Sequence, residues 1–300
     1  MPGMTSDISV VLVTFNRLEL LKQCISGILS QTAIGRIGTI YVIDNASTDG
    51  TDTEIPREYA GEPKVRYVRM ESNLGGSGGF RRGMELAHRD GCAWIWTLDD
   101  DVEPMQDCLE NMLKFGDISR CINPLVQYMD GSFHEWEHMF DPVTTVQTGL
   151  RNVSFGNGKE WCPMRVACFE GMLIHESIVS RIGYPDDDFF VFGDDGHYGF
   201  MASLHTNVIF IQTGRLLKKI KPNYQTTPFK VYYDIRNRFL LRKKLKPHYE
   251  RHKYQGRMFW IFILYHARNM TRGGGTFAKL KAAFLGIYAG CRGVTGRRRY

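Results

Sequence analysis

The 300-residue sequence predicts an α/β fold with a mainly parallel central sheet. Two observations carry that expectation. Short β-branched apolar runs alternate with segments of helical periodicity, the rhythm of a doubly wound sheet. Several of these runs are followed at once by polar or acidic residues (Asn16, Asp44, Asp99), and ligands in such sheets bind beyond the carboxyl ends of the strands. With 43% apolar residues the chain can bury a substantial core, as one large or two modest domains.

Ile8 to Val13 is short and almost wholly apolar, as expected of a central parallel strand. Leu18, Leu21, Ile25, Ile28 and Leu29 form a helical stripe over 18–29. Thr39 to Ile43 reads as a second strand ending at Asp44, and Val65 to Val68 as a third. A glycine-rich run, Asn73-Leu74-Gly75-Gly76-Ser77-Gly78-Gly79-Phe80, then reads as a loop before a helix around Met84 to Arg89. Ala93 to Leu98 is the fourth strand, closed by Asp99-Asp100-Asp101. Val102, Glu103 and Pro104 are not expected to continue a ladder. Residues 121–168 are irregular and aromatic, with Trp136 and Trp161, and suggest loops and short strands around a pocket. Residues 229–247 look helical. Gly273-Gly274-Gly275 breaks the chain before a last helix whose Phe277, Leu280, Phe284, Ile287 and Tyr288 share a face, with Lys279 and Lys281 away from it. The expected division is a catalytic domain over 1–228 and a basic helical region over 229–300.

Charge is segregated. Residues 215–300 hold 22 of the 38 Lys/Arg and 2 of the 32 Asp/Glu, a net of +20, which leaves −14 for residues 1–214. Such asymmetry points to an anionic partner, membrane or nucleic acid. Seven irregularly spaced cysteines without a C-x-x-C pair predict reduced thiols rather than a disulfide framework or zinc site. No signal peptide is visible near Met1, and the longest apolar run, Met258 to Tyr265, is far below the roughly 20 residues of a spanning helix. The expectation is a cytoplasmic protein, soluble or peripheral.

Three successive carboxylates at a strand exit read either as a solvated acidic turn or as hard oxygen ligands for Mg²⁺ or Mn²⁺. Asp44-Asn45, with Ser47 and Asp49-Gly50, likewise reads as a turn with a helix cap or as a ligand contact. The order of the blocks bears on both. Val13-Thr14-Phe15-Asn16-Arg17, Val42 to Ser47 with Asp49-Gly50, the 99–101 triplet, and Phe189-Phe190-Val191-Phe192-Gly193-Asp194-Asp195 with Tyr198-Gly199 together resemble the family 2 glycosyltransferases of GT-A fold over about residues 8–210. The glycine run with Gly83, and Tyr232-Tyr233-Asp234-Ile235-Arg236-Asn237-Arg238, resemble the bacterial galactofuranosyl- and rhamnosyltransferase-like branch.

The resemblance implies an inverting transfer from a nucleotide sugar. It implies that Thr14, Asn16 and Arg17 contact the nucleotide, and that Asp44 accepts the N3–H of uracil or thymine. Asn73, Gly75, Gly76, Gly78 and Gly79 would meet diphosphate or sugar, although their G-G-x-G-G spacing is not a dinucleotide fingerprint. Asp99 and Asp101 would lie closest to the ribose and to the Mn²⁺ or Mg²⁺ they hold, with Asp100 beside them, and Asp99 and Asp100 would also contact the nucleotide sugar. Asp195, and after it Asp194, would be the base. Many relatives complete the metal site with a later histidine, but Val208 to Ile220 contains none, and His197 and His205 look out of register. Either the metal has fewer protein ligands or a cation such as Lys218 takes its place. Arg236 would meet donor phosphate or tie the C-terminal helices to the body. UDP-galactofuranose is the expected donor, with dTDP-rhamnose the alternative. The expected acceptor is a lipid-linked cell-surface glycan, such as an O-antigen polysaccharide, reached at the anionic cytoplasmic face of the bacterial inner membrane. A non-catalytic binder of anionic polymers is the rival from another class; no nucleic-acid motif is present, so nucleic acid is not an expected partner.

Overall fold

A computed structural model describes residues 6–134, 138–149, 158, 160–221, 225–248, 255–271 and 276–298. Its strands are β1 (Ile8–Thr14), β2 (Ile37–Asp44), β3 (Val65–Arg69), β4 (Trp94–Asp99), β5 (Val102–Pro104), β6 (Cys121–Tyr128), β7 (Phe133–His134), β8 (His138–Asp141), β9 (Val146–Gly149), β10 (Trp161–Met164), β11 (Leu173–His175) and β12 (Val208–Lys218). Its α-helices are α1 (Leu18–Leu29), α2 (Thr51–Glu58), α3 (Gly75–Arg89), α4 (Cys108–Leu113), α5 (Glu176–Ile182), α6 (Asp194–Ser203), α7 (Pro228–Leu245), α8 (Gln255–Met270) and α9 (Thr276–Arg292).

The main sheet runs β10-β12-β6-β11-β4-β1-β2-β3. Its β4-β1-β2-β3 half is parallel throughout, because helices or long connections return the chain between strands. The short β11 inserts antiparallel between β4 and β6, and β12 pairs parallel with β6. Alternate residues of β1 serve two cores. Val10 and Leu12 pack with α1 residues Leu21, Ile25 and Ile28, while Val11 and Val13 pack with Phe80 and Met84 of α3. That is why the strand is apolar at every position.

Three expectations change in the structure. The glycine run is not a loop: it forms the first turns of α3. Gly75, Gly79 and Gly83 recur at helical spacing and let α3 lie close to the body. A Cβ on Gly79 would sit 2.5 Å from Val13 Cγ1, and one on Gly83 2.1 Å from Val11 Cγ1. Val102–Pro104 does join a ladder, antiparallel to β12, with Pro104 at its last position. Lys279 is buried, whereas Phe277, Leu280, Phe284, Tyr288 and Lys281 are exposed. The helix buries its small face instead: Ala282, Ala283 and Ala289 join a core with Val231, Tyr232, Tyr233 and Ile235 of α7.

The expected helix over 229–247 is α7, and the 228/229 boundary is not a break in packing. Leu240, Leu241 and Leu245 share a core with Phe140, Val166, Phe189 and Phe200 of the body. Trp136 and Gly273 to Gly275 lie outside the described residues. All seven cysteines are free thiols, and only Cys291 is exposed. Among the described residues no helix is long and apolar enough to cross a membrane.

The glycine packing predicts opposite outcomes for two neighbours. Gly83→Ala should lower stability in urea denaturation by about 1–3 kcal/mol, because its methyl meets Val11. Gly76→Ala, with nothing within 4 Å of the added carbon, should leave stability unchanged or raise it by up to about 1 kcal/mol. Equal effects would count against helical packing as the role of these glycines.

Candidate active site

The sheet register sets three strand ends side by side. Thr14 pairs with Asp44 across β1 and β2, and Val13 with Asp99 across β1 and β4. The chain leaving β1 then fastens both neighbours. Thr14 Oγ1 donates to Asp100 Oδ2 at 2.8 Å, and Arg17 Nη1 lies 3.0 Å from Asp100 Oδ1 and 3.2 Å from Asp101 Oδ2. Asn16 takes a left-handed turn (φ 55°). There its amide donates to Ser47 Oγ and its Oδ1 accepts from the Thr48 amide. Asp49 Oδ2 accepts from the Leu18 amide at the start of α1.

Asp44, the expected base contact, is held by its own neighbours. Its carboxylate is fully enclosed: Oδ1 accepts from the Ser47 amide at 2.9 Å, Oδ2 accepts from Tyr67 Oη at 2.5 Å, and Arg69 lies 3.6 Å away. Through the Ser47 amide it orders the 44–48 turn from within.

The acidic triplet is not a solvated turn. Asp100 and Asp101 are buried, and burial beside Glu170 and Asp101 holds the Asp99 carboxyl well above the usual carboxylate range. Glu170, which no sequence motif announced, completes the cluster. Lys218, the last residue of β12, reaches into it, with Nζ 2.8 Å from Glu170 Oε2 and 3.5 Å from Asp101 Oδ1. Burial by itself would lower the lysine pKa, but the Glu170 and Asp101 carboxylates more than reverse this and raise it. Asp101 Oδ1 and Glu170 Oε1 make no hydrogen bond.

This donor set does not fit a protein metal cage. The Lys218 ammonium stands between Asp101, expected with Asp99 to hold the ion, and Glu170, and among the described residues no three His, Cys, Asp or Glu form a group that could hold a metal ion. His197 packs on Phe189, where burial pushes it down to about 4, and His205 is exposed beyond α6.

The expected base joins the same cluster through one peptide. The Phe169 amide donates to Asp195 Oδ1 at 2.9 Å, and the next residue is Glu170. Burial, with Asp194 adjacent, pushes the Asp195 carboxyl up to about 8. Asp194 starts α6 and accepts from Ser77 Oγ at 2.8 Å, so it is held by α3.

The loop before this pair is strained and clamped. Phe190 (φ 64°) and Phe192 (φ 63°) occupy the left-handed region. Asn237 Nδ2 donates to the carbonyls of Phe189, Val191 and Phe192, while the buried Arg236 donates to those of Asp188, Phe189 and Gly296. Arg236 therefore ties the C-terminal helices to the body. Opposite, the Phe190 carbonyl presses on Gly75, where a Cβ would be 1.8 Å from the oxygen.

Beside the strand ends lies a cavity of about 940 Å³ lined by Phe15, Asn73, Phe190, Tyr233, Arg297 and Arg298, among others. The carboxylates do not line it; Phe15, next to Thr14, links the two. The C-terminal tail reaches its wall because the Gly296 amide donates to the Asp188 carbonyl and the Arg298 amide to Tyr233 Oη. Of the expected nucleotide-sugar residues, Asn73 lines the cavity and Gly76 has open space at its Cα, whereas Gly75, Gly78 and Gly79 face protein atoms.

Residues 9–182, more than half of the chain, match the glycosyl transferase family 2 profile. The chain belongs to that family. It is similar to the galactofuranosyltransferase GlfT1 of Mycolicibacterium smegmatis, 28% identical over 201 residues, covering 64% of this chain and 63% of that protein. The chain thus aligns with under two thirds of the length of these galactofuranosyltransferase relatives. Its fold is similar to S. aureus TarS 1–349 solved with UDP-GlcNAc (TM-score 0.62, 13% identity, 96% of this chain and 81% of that one). It is also similar to the mannosyltransferase PcManGT of Pyrobaculum calidifontis solved with GDP-Man and Mn²⁺ (TM-score 0.58, 18% identity, 95% and 75%). This is the GT-A-type architecture expected from the sequence blocks.

Sequence reasoning missed Glu170, the carbonyl clamp of Asn237, and the tail arginines. The Tyr-Tyr block marked Asn237 without revealing its job. Asn237→Ala removes the donor to three inward carbonyls and should cost about 2–3 kcal/mol in chemical denaturation. A loss under about 0.5 kcal/mol would show that the clamp is dispensable.

Proposed function

We propose that this member of glycosyl transferase family 2 moves a sugar from a nucleoside-diphosphate donor to an acceptor hydroxyl with inversion. One observation carries the reading. The Phe169–Glu170 segment joins a raised-pKa carboxylate, Asp195, to the carboxylate cluster at the end of β4. A base and a charged donor platform held by adjacent residues are what a single displacement needs.

In the proposed step Asp195 accepts the proton of the acceptor hydroxyl. The oxygen bonds to the anomeric carbon as the carbon–oxygen bond to the diphosphate breaks, and the nucleoside diphosphate leaves with that electron pair. Burial places the Asp195 pKa near the range where a carboxylate is an effective base. Thr14 and Arg17 order Asp100 beneath the nucleotide, and Asn73 with the start of α3 borders the cavity side. Galactofuranose, from UDP-galactofuranose, is the sugar proposed, supported by the GlfT1 relatives and by the sequence blocks of that branch.

A lipid-linked glycan is the acceptor proposed, reached at an anionic membrane surface. Support comes from large apolar side chains turned to solvent on two helices. These are Trp260, Ile261, Leu264 and Tyr265 on α8, and Phe277 (82% exposed), Leu280, Phe284 (70%) and Tyr288 on α9. Exposed aromatics on a lysine- and arginine-rich segment suit the interface of an anionic bilayer.

Two results test these readings. Asp195→Asn should lower transfer about 10²–10⁴-fold while nucleotide binding stays within a few-fold. In the wild type the base must be deprotonated, so kcat/KM should climb as pH rises through about 8; unchanged turnover in the variant, or a falling profile, would exclude Asp195 as base. Phe277→Asp with Phe284→Asp should weaken binding to phosphatidylglycerol vesicles by tenfold or more, since each aromatic removes about 1.5–3 kcal/mol of apolar burial. Unchanged vesicle binding would refute the membrane face.

A further inference from the structure

Building on the nucleotide-donor reading, we infer that this chain binds its donor without a divalent cation, with Lys218 standing in the acidic cluster and the tail residues Arg297 and Arg298 supplying positive charge toward the diphosphate. A divalent ion on a sugar nucleotide is held by hard oxygens of the protein and of the phosphates. Here the oxygens that offer themselves are on Asp101 and Glu170, and the Lys218 ammonium lies within 3.5 Å of both side chains. A divalent ion there would have to displace the lysine or sit against its charge.

Lys218 is not a stray surface residue. It ends β12, where pairing with β5 sets it opposite Val102, and the following amide, of Lys219, donates to the Asp101 carbonyl at 2.8 Å. The backbone on both sides of the ammonium is therefore fixed to the acidic segment. The lysine side chain is mostly buried, and removing it would leave Glu170 and Asp101 without that cation.

The diphosphate still needs positive charge as it departs. Lys218 and Arg17 pair with carboxylates, and the tail brings two more cations near the strand ends. Arg297 and Arg298 stand on the wall of the cavity that includes Phe15 and Asn73. The Arg297 guanidinium lies 5.9 Å from the Phe190 ring centre, and the Arg298 guanidinium 4.8 Å from that of Tyr232. Their backbone is anchored on the loop that carries the base, through Gly296 to Asp188 and through Arg236 to Gly296. Guanidinium groups held by aromatic faces present their N–H forks to phosphate oxygens without a metal bridge. The shared ligand chemistry is a diphosphate, borne either by the donor nucleotide or by a lipid-diphosphate acceptor.

Titration calorimetry on the full chain with UDP and dTDP, in EDTA and in millimolar Mn²⁺ or Mg²⁺, tests the inference. The expected result is a Kd in EDTA within about twofold of that with metal. Arg297→Ala with Arg298→Ala should weaken UDP binding in EDTA tenfold or more and leave uridine binding unchanged. If the double variant binds UDP normally but loses affinity only for a soluble polyprenyl-diphosphate analogue, the arginines serve the acceptor and their assignment to the donor is overturned. Lys218→Ala opens the cluster, so its melting temperature should rise with Mn²⁺ whereas that of the wild type should not. Binding that is tenfold tighter with metal, or abolished by EDTA, overturns the inference and leaves the donor reading standing. Failure of both nucleotides to bind under every condition overturns the donor reading and this inference together.

Discussion

Buried carboxylates that converge at the end of a sheet repel one another and must be neutralised within reach. Asp99, Asp100, Asp101 and Glu170 meet where β4, β12 and the segment before β11 end, and the chain answers with Arg17 on one side and Lys218 on the other. Each cation comes from a different part of the sequence, so closing the cluster fixes β1, β4 and β12 relative to one another. Asp195 is positioned from the same centre, through the amide one residue before Glu170. The proposed base and the carboxylate cluster thus share a support, and a shift in either moves the other.

A second constraint works through close packing rather than charge. Gly75 meets the Phe190 carbonyl so closely that no side chain fits, and two residues later Ser77 bonds to Asp194. Asn237 and Arg236 grip the same loop from the opposite side. The strained turns at Phe190 and Phe192 persist because α3 and α7 hold them between two fixed surfaces. The proposed base therefore follows a segment held from both ends of the chain, and α7 packs with the body of the sheet.

How much of this was legible in the sequence depended on how local each feature is. Strands 8–14, 37–44, 65–69 and 94–99 and helix 18–29 follow from short-range patterns of apolar residues, and each was expected within a few residues of its observed bounds. The family blocks marked Asp195 and the acidic triplet because their order along the chain is specific. The glycine run was misread because glycine signals flexibility by composition, while its spacing of four at Gly75, Gly79 and Gly83 signals helix packing only once a partner surface is known. The surroundings of Asp44 were not legible locally, because Tyr67 and Arg69, which enclose it, come from the neighbouring strand. Glu170 carried no local pattern at all. Its role exists only through Lys218, 48 residues later.

The central claim is a single displacement at an anomeric carbon with Asp195 as base. It is tested most directly by the stereochemistry of the product. The protein would be incubated with a panel of nucleotide sugars that includes UDP-galactofuranose, together with a lipid-diphosphate-linked glycan acceptor. The anomeric configuration of the newly joined sugar would then be read by nuclear magnetic resonance. The account predicts release of one nucleoside diphosphate per sugar transferred and a configuration opposite to that of the donor. Retention of the donor configuration, or no transfer from any donor of the panel, would contradict it.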